Sequence, residues 1–524
     1  MKIFRTTVAL AAVAALTATL GACSAGDAAP AATDAAAGEP VAGGTLIVAD
    51  NAQPTSGFDP VLAQAFNAKR LASQFYESLL SLSADGTEVG PGLATEWEEV
   101  SPTEYLFTLR EGVTFHDGSP LTVDDVVFSL ERIIDPDTFS PYASLYSIAD
   151  VEAVGDEQVR VTLAQPQASF IRLMAQPWSG GIVNEAWVES RTADEIKTQE
   201  NGTGPFTLAS FQEGAVIETV AFEDYWDEGL PYLDGVNYRL IADETTIVQA
   251  LTSGQVQMGQ VQIPTNRSAV EAAGLSIGDS PSTGTQWMAM NTLDGPLADI
   301  DVRRAFSLAL DREQIIETVT FGTGSLASVV PPGDPLGCVM TDESPYYERD
   351  VEAAKDLLAQ AGSPTPTVTI QLGDSAKTGI QAAQLMKEQV AEAGIDLEIK
   401  TVPFNEQVSS VLSADWGSDM VHLTSVLNAD PSQYVSLWFE QGSPTTHVDD
   451  AELWSMMDAA KADIDGIEAR AADYQEICDY IADNVYMVVP YAAPVAWDVW
   501  SSDLHGFTAD VTNTRLYLKE AWLS

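Results

Sequence analysis

From Tyr105 onward the side chains alternate. Tyr105, Phe107 and Leu109 interleave with Leu106, Thr108 and Arg110, the two-residue period of a strand with unlike faces. Asp117-Gly118 marks a turn, because glycine adopts the positive φ that tight turns often require. Thr122, followed three residues later by Asp125, predicts a helix start, with Asp124 and Asp125 in the first turn where the dipole favours negative charge. Val126, Val127, Leu130 and Ile133 then recur at helical spacing. The stretch Tyr105 to Arg132 therefore predicts strand, turn, strand and capped helix, and offers no chemistry.

The same reading extends along the chain. Gly44 to Ala49 is a buried strand, and Val151 to Leu163 alternates around Gly155-Asp156 as a hairpin. Trp287 to Thr292 is a strand feeding one amphipathic helix with Ala305, Leu308, Ala309 and Ile315 inward. Arg303, Arg304 and Arg312 on that helix are expected to make local ion pairs. Val351 to Ala361 is a helix stopped by Gly362, and Val368 to Leu372 a strand. Gly379 to Ala393 is a helix closed by Gly394, and Ile395 to Val402 a strand, so the spacing predicts a βαβ unit with parallel pairing. Glu468 to Asn484 is a further helix and Val485 to Tyr491 a strand.

Composition narrows the class. A chain of 524 residues exceeds one ordinary core, and 45% hydrophobic residues suffice for more than one. The net charge of −53 repels nucleic acid phosphates and anionic headgroups, so neither is expected as a partner. Acidic residues are spread along the chain, which is the pattern of a solvated surface. Lys2 and Arg5 precede an apolar run from Thr6 to Leu20, too short to span a bilayer comfortably. Leu20-Gly21-Ala22-Cys23 resembles a bacterial lipobox, so residues 1–22 are expected to be a signal peptide and Cys23 to carry a lipid anchor. Removing Lys2 and Arg5 with that leader takes no acid away and moves the charge from −53 to −55. Residues 23–43, rich in Ala, Gly, Pro and Asp, read as a flexible tether.

Signals of catalysis are weak. His116, His422, His447 and His505 stand apart, without the paired spacing of a zinc site, and no metal or other cofactor is expected. His116 belongs to the Phe-His-Asp-Gly turn and is expected to make a structural hydrogen bond. Neither a Ser-x-x-Lys pair nor a Gly-x-Ser-x-Gly elbow occurs. Cys338 and Cys478 fit a disulfide or two buried thiols equally well.

Several motifs carry a family resemblance. Leu93-Ala94 with Trp97-Glu98 leads to Leu109-Arg110, Gly112-Val113, Phe115-His116-Asp117-Gly118 and Pro120-Leu121-Thr122. Asn201 to Phe206 reads Asn-Gly-Thr-Gly-Pro-Phe, and Asp301-Val-Arg-Arg-Ala305 precedes Leu310-Asp311-Arg312. Together these resemble the family-5 extracellular solute-binding proteins, the peptide- and nickel-type receptors of ABC importers. The resemblance implies an α/β, two-lobed periplasmic-binding-protein-like fold of type II, with an extra subdomain in lobe I. Carried over, residues 44–285 form lobe I, completed by 490–524, and residues 286–489 form lobe II. The chain would then cross between lobes twice, near Trp287 and Tyr491, forming a hinge that closes on a ligand.

The implied function is the substrate-binding component of an ABC importer. Such a monomer captures an oligopeptide or similar small solute and delivers it to permease subunits; it is not an enzyme. The alternatives are a ligand sensor feeding a signalling partner, or a binder of a non-peptide solute such as a metal chelate or oligosaccharide. Asp419 to Phe439 resembles the family's ligand loop, anchored on Asp430-Pro431. Peptide-binding members clamp the ligand's ammonium with an aspartate at the position held here by Leu427, and place a tryptophan at that of Thr424. Leucine cannot compensate a buried ammonium, so Asp430 or another carboxylate takes that role or the ligand lacks a free amine. Trp287, Thr424, Asn428, Tyr491 and Trp497 are the remaining candidates for the cleft wall.

Overall fold

The strand Glu104–Leu109 turns Tyr105 and Phe107 into a core and joins an antiparallel sheet ordered Ala94–Ser101, Glu104–Leu109, Gln158–Leu163, Ile148–Val154. The structure is a computed structural model that describes residues 39–54, 56–278, 284–426, 430–463, 466–494 and 496–524. Thr122 caps the helix Val123–Ile134: its hydroxyl accepts from the Asp125 amide at 3.3 Å, and the Asp125 carboxylate accepts from the Thr122 amide at 2.9 Å. Val126, Leu130 and Ile133 are buried beneath it. The expected second strand of this stretch shrinks to a single bridge between Thr114 and Pro120. The backbone there is drawn elsewhere, since the His116 amide donates to the Gly202 carbonyl and the Asp117 amide to the Asn201 side chain.

A seven-stranded sheet runs in the order Ser276–Ile277, Trp497–Trp500, Met258–Val261, Thr45–Asp50, Gly235–Leu240, Val216–Ala221, Phe206–Gln212. Thr45–Asp50 lies at its centre, parallel to both neighbours, with Leu46, Val48 and Ala49 buried. Central strands buried on both faces are rich in apolar residues for this reason. The late strand Trp497–Trp500 is tied to the helix Phe66–Phe75 by an Arg70–Asp498 ion pair of 2.7 Å. No sequence pattern announced that link.

A five-stranded sheet runs Asp396–Val402, Thr367–Gly373, Met420–Val426, Gly284–Met290, Met487–Ala493. The βαβ unit is present: Thr367–Gly373 and Asp396–Val402 pair in parallel through the helix Lys377–Ala393. Gly394, at φ +104°, stops that helix in the left-handed region that favours glycine. The single helix expected after Asp301 is two, Ile300–Leu308 and Arg312–Thr320. Asp311 divides them, because its side chain accepts from the Gln314 amide at 2.9 Å and caps the second helix. Arg304 pairs with Asp483, whereas Arg303 and Arg312 spend their donors chiefly on carbonyls.

Below this sheet, Cys338 and Cys478 are joined by a disulfide and fully buried beside Tyr474 and Ile477. The alternative of two free thiols is thereby removed. Among the described residues, no helix is long and apolar enough to cross a membrane.

Candidate functional site

The register of the five-stranded sheet builds one polar row. Gln286 lies opposite Thr424 on one neighbouring strand and opposite Tyr491 on the other. Two of the expected wall residues are therefore brought to the same level of the sheet, on either side of a glutamine that sequence reasoning had passed over. Thr424 is exposed, and its hydroxyl stands 3.5 Å from Gln286 Oε1. Tyr491 is buried, and burial pushes its phenol up to about 12.

His422, two residues before Thr424 on the same face, hydrogen-bonds Gln286 Oε1 through Nε2 at 2.7 Å. Burial holds its pKa down at about 4, so the ring is neutral at physiological pH and Nε2–H is the donor to the amide oxygen. Gln407 Nε2 donates to the His422 carbonyl at 2.6 Å. The helix Lys377–Ala393 approaches so closely that a Cβ on Gly379 would stand 2.5 Å from His422 Nε2. A glycine is required at that contact.

Beside this row opens a cavity of about 500 Å³, a size typical of small-molecule sites. The helix Phe404–Leu412 forms one wall. Its inner face buries Gln407 and Val411, the latter against Ala289, Trp416 and Val421. Its other face leaves Phe404, Val408 and Leu412 exposed at 53%, 38% and 66%, one turn apart along the helix. Leu423, Thr424 and Trp438 complete the opposite wall.

The remaining expected residues lie elsewhere. Trp287 is fully buried and meets Trp438 edge to face, so Trp438 lines the cavity and Trp287 supports it from behind. Trp497 belongs to the seven-stranded sheet, buried against Ala49, Ile247 and Val261 with the Arg267 guanidinium 5.5 Å from its ring. Asp430 is fully buried and held by Arg470 through bonds of 2.7 and 2.9 Å, and it also accepts from the Ser432 amide. Burial opposes its charge, but the Arg470 guanidinium outweighs it and holds the carboxyl below its usual range. Both oxygens are thus engaged within the protein. Asn428, Leu427 and Cys23 lie outside the described residues.

His116 bonds Glu200 through Nδ1 at 2.6 Å and the Gly204 carbonyl through Nε2 at 2.9 Å, the structural role its turn implied. His447 stacks on Trp416 and His505 on Trp522. The sequence did carry a signal for the missed wall: apolar residues at 404, 408 and 412. A stripe at that spacing is also the pattern of a core-facing helix, so the sequence alone does not mark it as a wall.

Comparison with known proteins agrees with this architecture. The sequence pattern of the bacterial extracellular solute-binding proteins, family 5 Middle, matches residues 88–445. A probable di/tripeptide-binding protein 5 of Pseudomonas aeruginosa is 27% identical over 509 residues, covering 90% of this chain and 94% of the relative. The ABC transporter substrate-binding protein CtaP from Listeria monocytogenes superposes with a TM-score of 0.80 at 24% identity, covering 92% of this chain and 99% of that one. The binding protein AgaA of A. tumefaciens R10, solved with agropinic acid, superposes with a TM-score of 0.72 at 26% identity, covering 92% and 99%. With the match spanning more than half of its length, this chain belongs to the bacterial extracellular solute-binding proteins of family 5.

Proposed function

We propose that this protein captures an oligopeptide or similar small solute and delivers it to the membrane permease of an ABC importer. The observation that carries the reading is the cavity of about 500 Å³ set beside the Thr424–Gln286–Tyr491 row, within the stretch that matches the family. Family membership and a pocket of ligand size point to capture, and the di/tripeptide-binding relative supports a peptide. The complex of AgaA with agropinic acid, together with Leu427 in place of an ammonium-clamping aspartate, favours a non-peptide solute as the second reading.

In this reading, residues 44–285 with 490–524 are one lobe and 286–489 the other. Sheet membership supports the division apart from a few residues at each crossing: the seven-stranded sheet draws its strands from 45–277 and 497–500, and the five-stranded sheet from 284–493, so residues 284–285 and 490–493 fall with the second lobe's sheet. The chain passes between the sheets twice, which suits a hinge that a ligand biases toward closure. Cys23 would hold the protein to the outer face of the cell membrane through a lipid, with residues 24–43 as the tether. A buried disulfide suits an oxidising compartment outside the cytoplasm.

Native mass spectrometry of the purified protein, followed by a thermal-shift screen of di- to pentapeptides and non-peptide solutes, tests the reading. A true ligand at about 100 times its Kd should stabilise the fold by about 2.7 kcal/mol. If a non-peptide raises the melting temperature and every peptide leaves it unchanged, the peptide assignment fails.

A further inference from the structure

We infer that the cavity between the helix Phe404–Leu412 and the strand Met420–Val426 receives an uncharged, apolar group of the ligand, a branched aliphatic or aromatic side chain in a peptide. The inference rests on the solute-binding reading and specifies what that site selects.

The first support is the surface left uncovered. Phe404, Val408 and Leu412, one turn apart on the helix and exposed, line the same cavity as Leu423 and Trp438. Covering exposed apolar area removes it from water, so this edge favours an apolar occupant. Trp438 itself is braced by the fully buried Trp287.

The second support is how the polar lining spends its hydrogen bonds. The neutral His422 is turned to Gln286, and Gln407 spends an amide hydrogen on the His422 carbonyl. Thr445 is engaged with Ser443 and the Trp438 carbonyl. Thr424, which is exposed, makes one long side-chain contact among the described residues, to Gln286. The Trp438 indole N–H, buried with no hydrogen-bond partner among the described residues, leaves a place for one acceptor at the edge of the occupant, while the helix edge of Phe404, Val408 and Leu412 asks for none.

The third support is charge. The chain carries 77 acidic residues in 524, yet among the described residues lining the cavity none is Asp, Glu, Lys or Arg, and the one titratable side chain, His422, is held neutral by burial. An ammonium or carboxylate placed there would leave water without a counter-charge from the lining, which disfavours it. A charge-free lining in so acidic a protein discriminates against charged groups of either sign.

The test uses the mature chain and isothermal titration calorimetry with Ala-X-Ala tripeptides, where X is Leu, Phe, Lys or Glu, beside a panel of non-peptide solutes. Peptides with Leu or Phe should bind at least tenfold more tightly than those with Lys or Glu. Val408→Asp and Leu412→Asp should each abolish that preference. Leu412 is mostly exposed, so its variant should keep the ligand-free melting temperature even if Val408→Asp does not. Equal binding of charged and apolar tripeptides, or apolar binding untouched by Leu412→Asp, overturns the assignment while leaving solute capture standing. So does binding of only a charged non-peptide solute that Leu412→Asp does not disturb. If nothing in either panel binds, solute capture as proposed fails with it.

Discussion

Trp287 and Trp438 meet edge to face, with ring centroids 4.7 Å apart and planes at 70°. One indole is wholly buried and the other lines the cavity, so two residues in contact have different work. Aromatic pairs in this geometry contribute about 0.5–1.5 kcal/mol beyond the area they bury.

That division predicts a split between two variants. Trp287→Ala should destabilise the fold by about 3–5 kcal/mol, the usual loss for a large buried aromatic. Trp438→Ala should cost less stability and weaken ligand binding at least tenfold. Urea unfolding and calorimetry on both variants measure the split, and equal stability losses with unchanged affinity would contradict it.

The Asp430–Arg470 pair predicts a stability effect. Both partners are buried, and the Arg172 guanidinium lies 4.0 Å from the same carboxylate. Removing Arg470 leaves the fully buried Asp430 without its bidentate partner. Arg470→Ala should therefore cost about 3–5 kcal/mol in urea unfolding. A loss below about 1 kcal/mol would show that water or Arg172 replaces the missing partner.

Cys338 and Cys478 close a loop across 140 residues of sequence. Cross-linking so long a loop restricts the unfolded chain, and its loss typically costs about 2–5 kcal/mol. Cys338→Ser, or reductant added to the natural protein, should lower the melting temperature. Both treatments should give similar shifts, and reductant should have no effect on the variant.

Two histidines predict opposite pH responses. Burial lowers the His422 pKa from 6.5 to about 4, so the ring is neutral in both states above pH 6.5 and contributes no slope there. As pH falls from 6.5 to about 4, the unfolded chain takes a proton that the folded chain refuses. Stability should decline over that window by up to about 3 kcal/mol. For His116, burial also lowers the pKa, but the hydrogen bond and charge of Glu200 overcome it and raise the value. Its contribution is fully present below the unfolded pKa and is lost as pH rises through the folded one. Urea unfolding between pH 4 and 9 should show His422→Gln flattening the acid limb. His116→Gln should flatten the loss at higher pH.

The strongest local patterns in the chain survive into the fold. Thr122 and Asp125 cap their helix, Gly394 ends its own, and the βαβ unit from Thr367 to Val402 forms because period and punctuation are properties of neighbouring residues. Expectations fail where a distant segment takes the hydrogen bonds, as Asn201 and Gly202 do at the turn after Phe115. The helix after Asp301 also breaks where the Asp311 side chain offers the backbone a better acceptor.

Sequence alone therefore determined the local elements, the acidic surface and the family motifs, all set by composition or by residues a few positions apart. Only the tertiary structure decided which residues face the cavity. Sheet register placed Gln286 between Thr424 and Tyr491, and packing hid Trp287 behind Trp438. An ion pair spanning 40 residues drew Asp430 into the interior. An apolar stripe such as Phe404, Val408 and Leu412 looks the same in sequence whether it is covered or open. Burial depends on what the rest of the chain brings alongside.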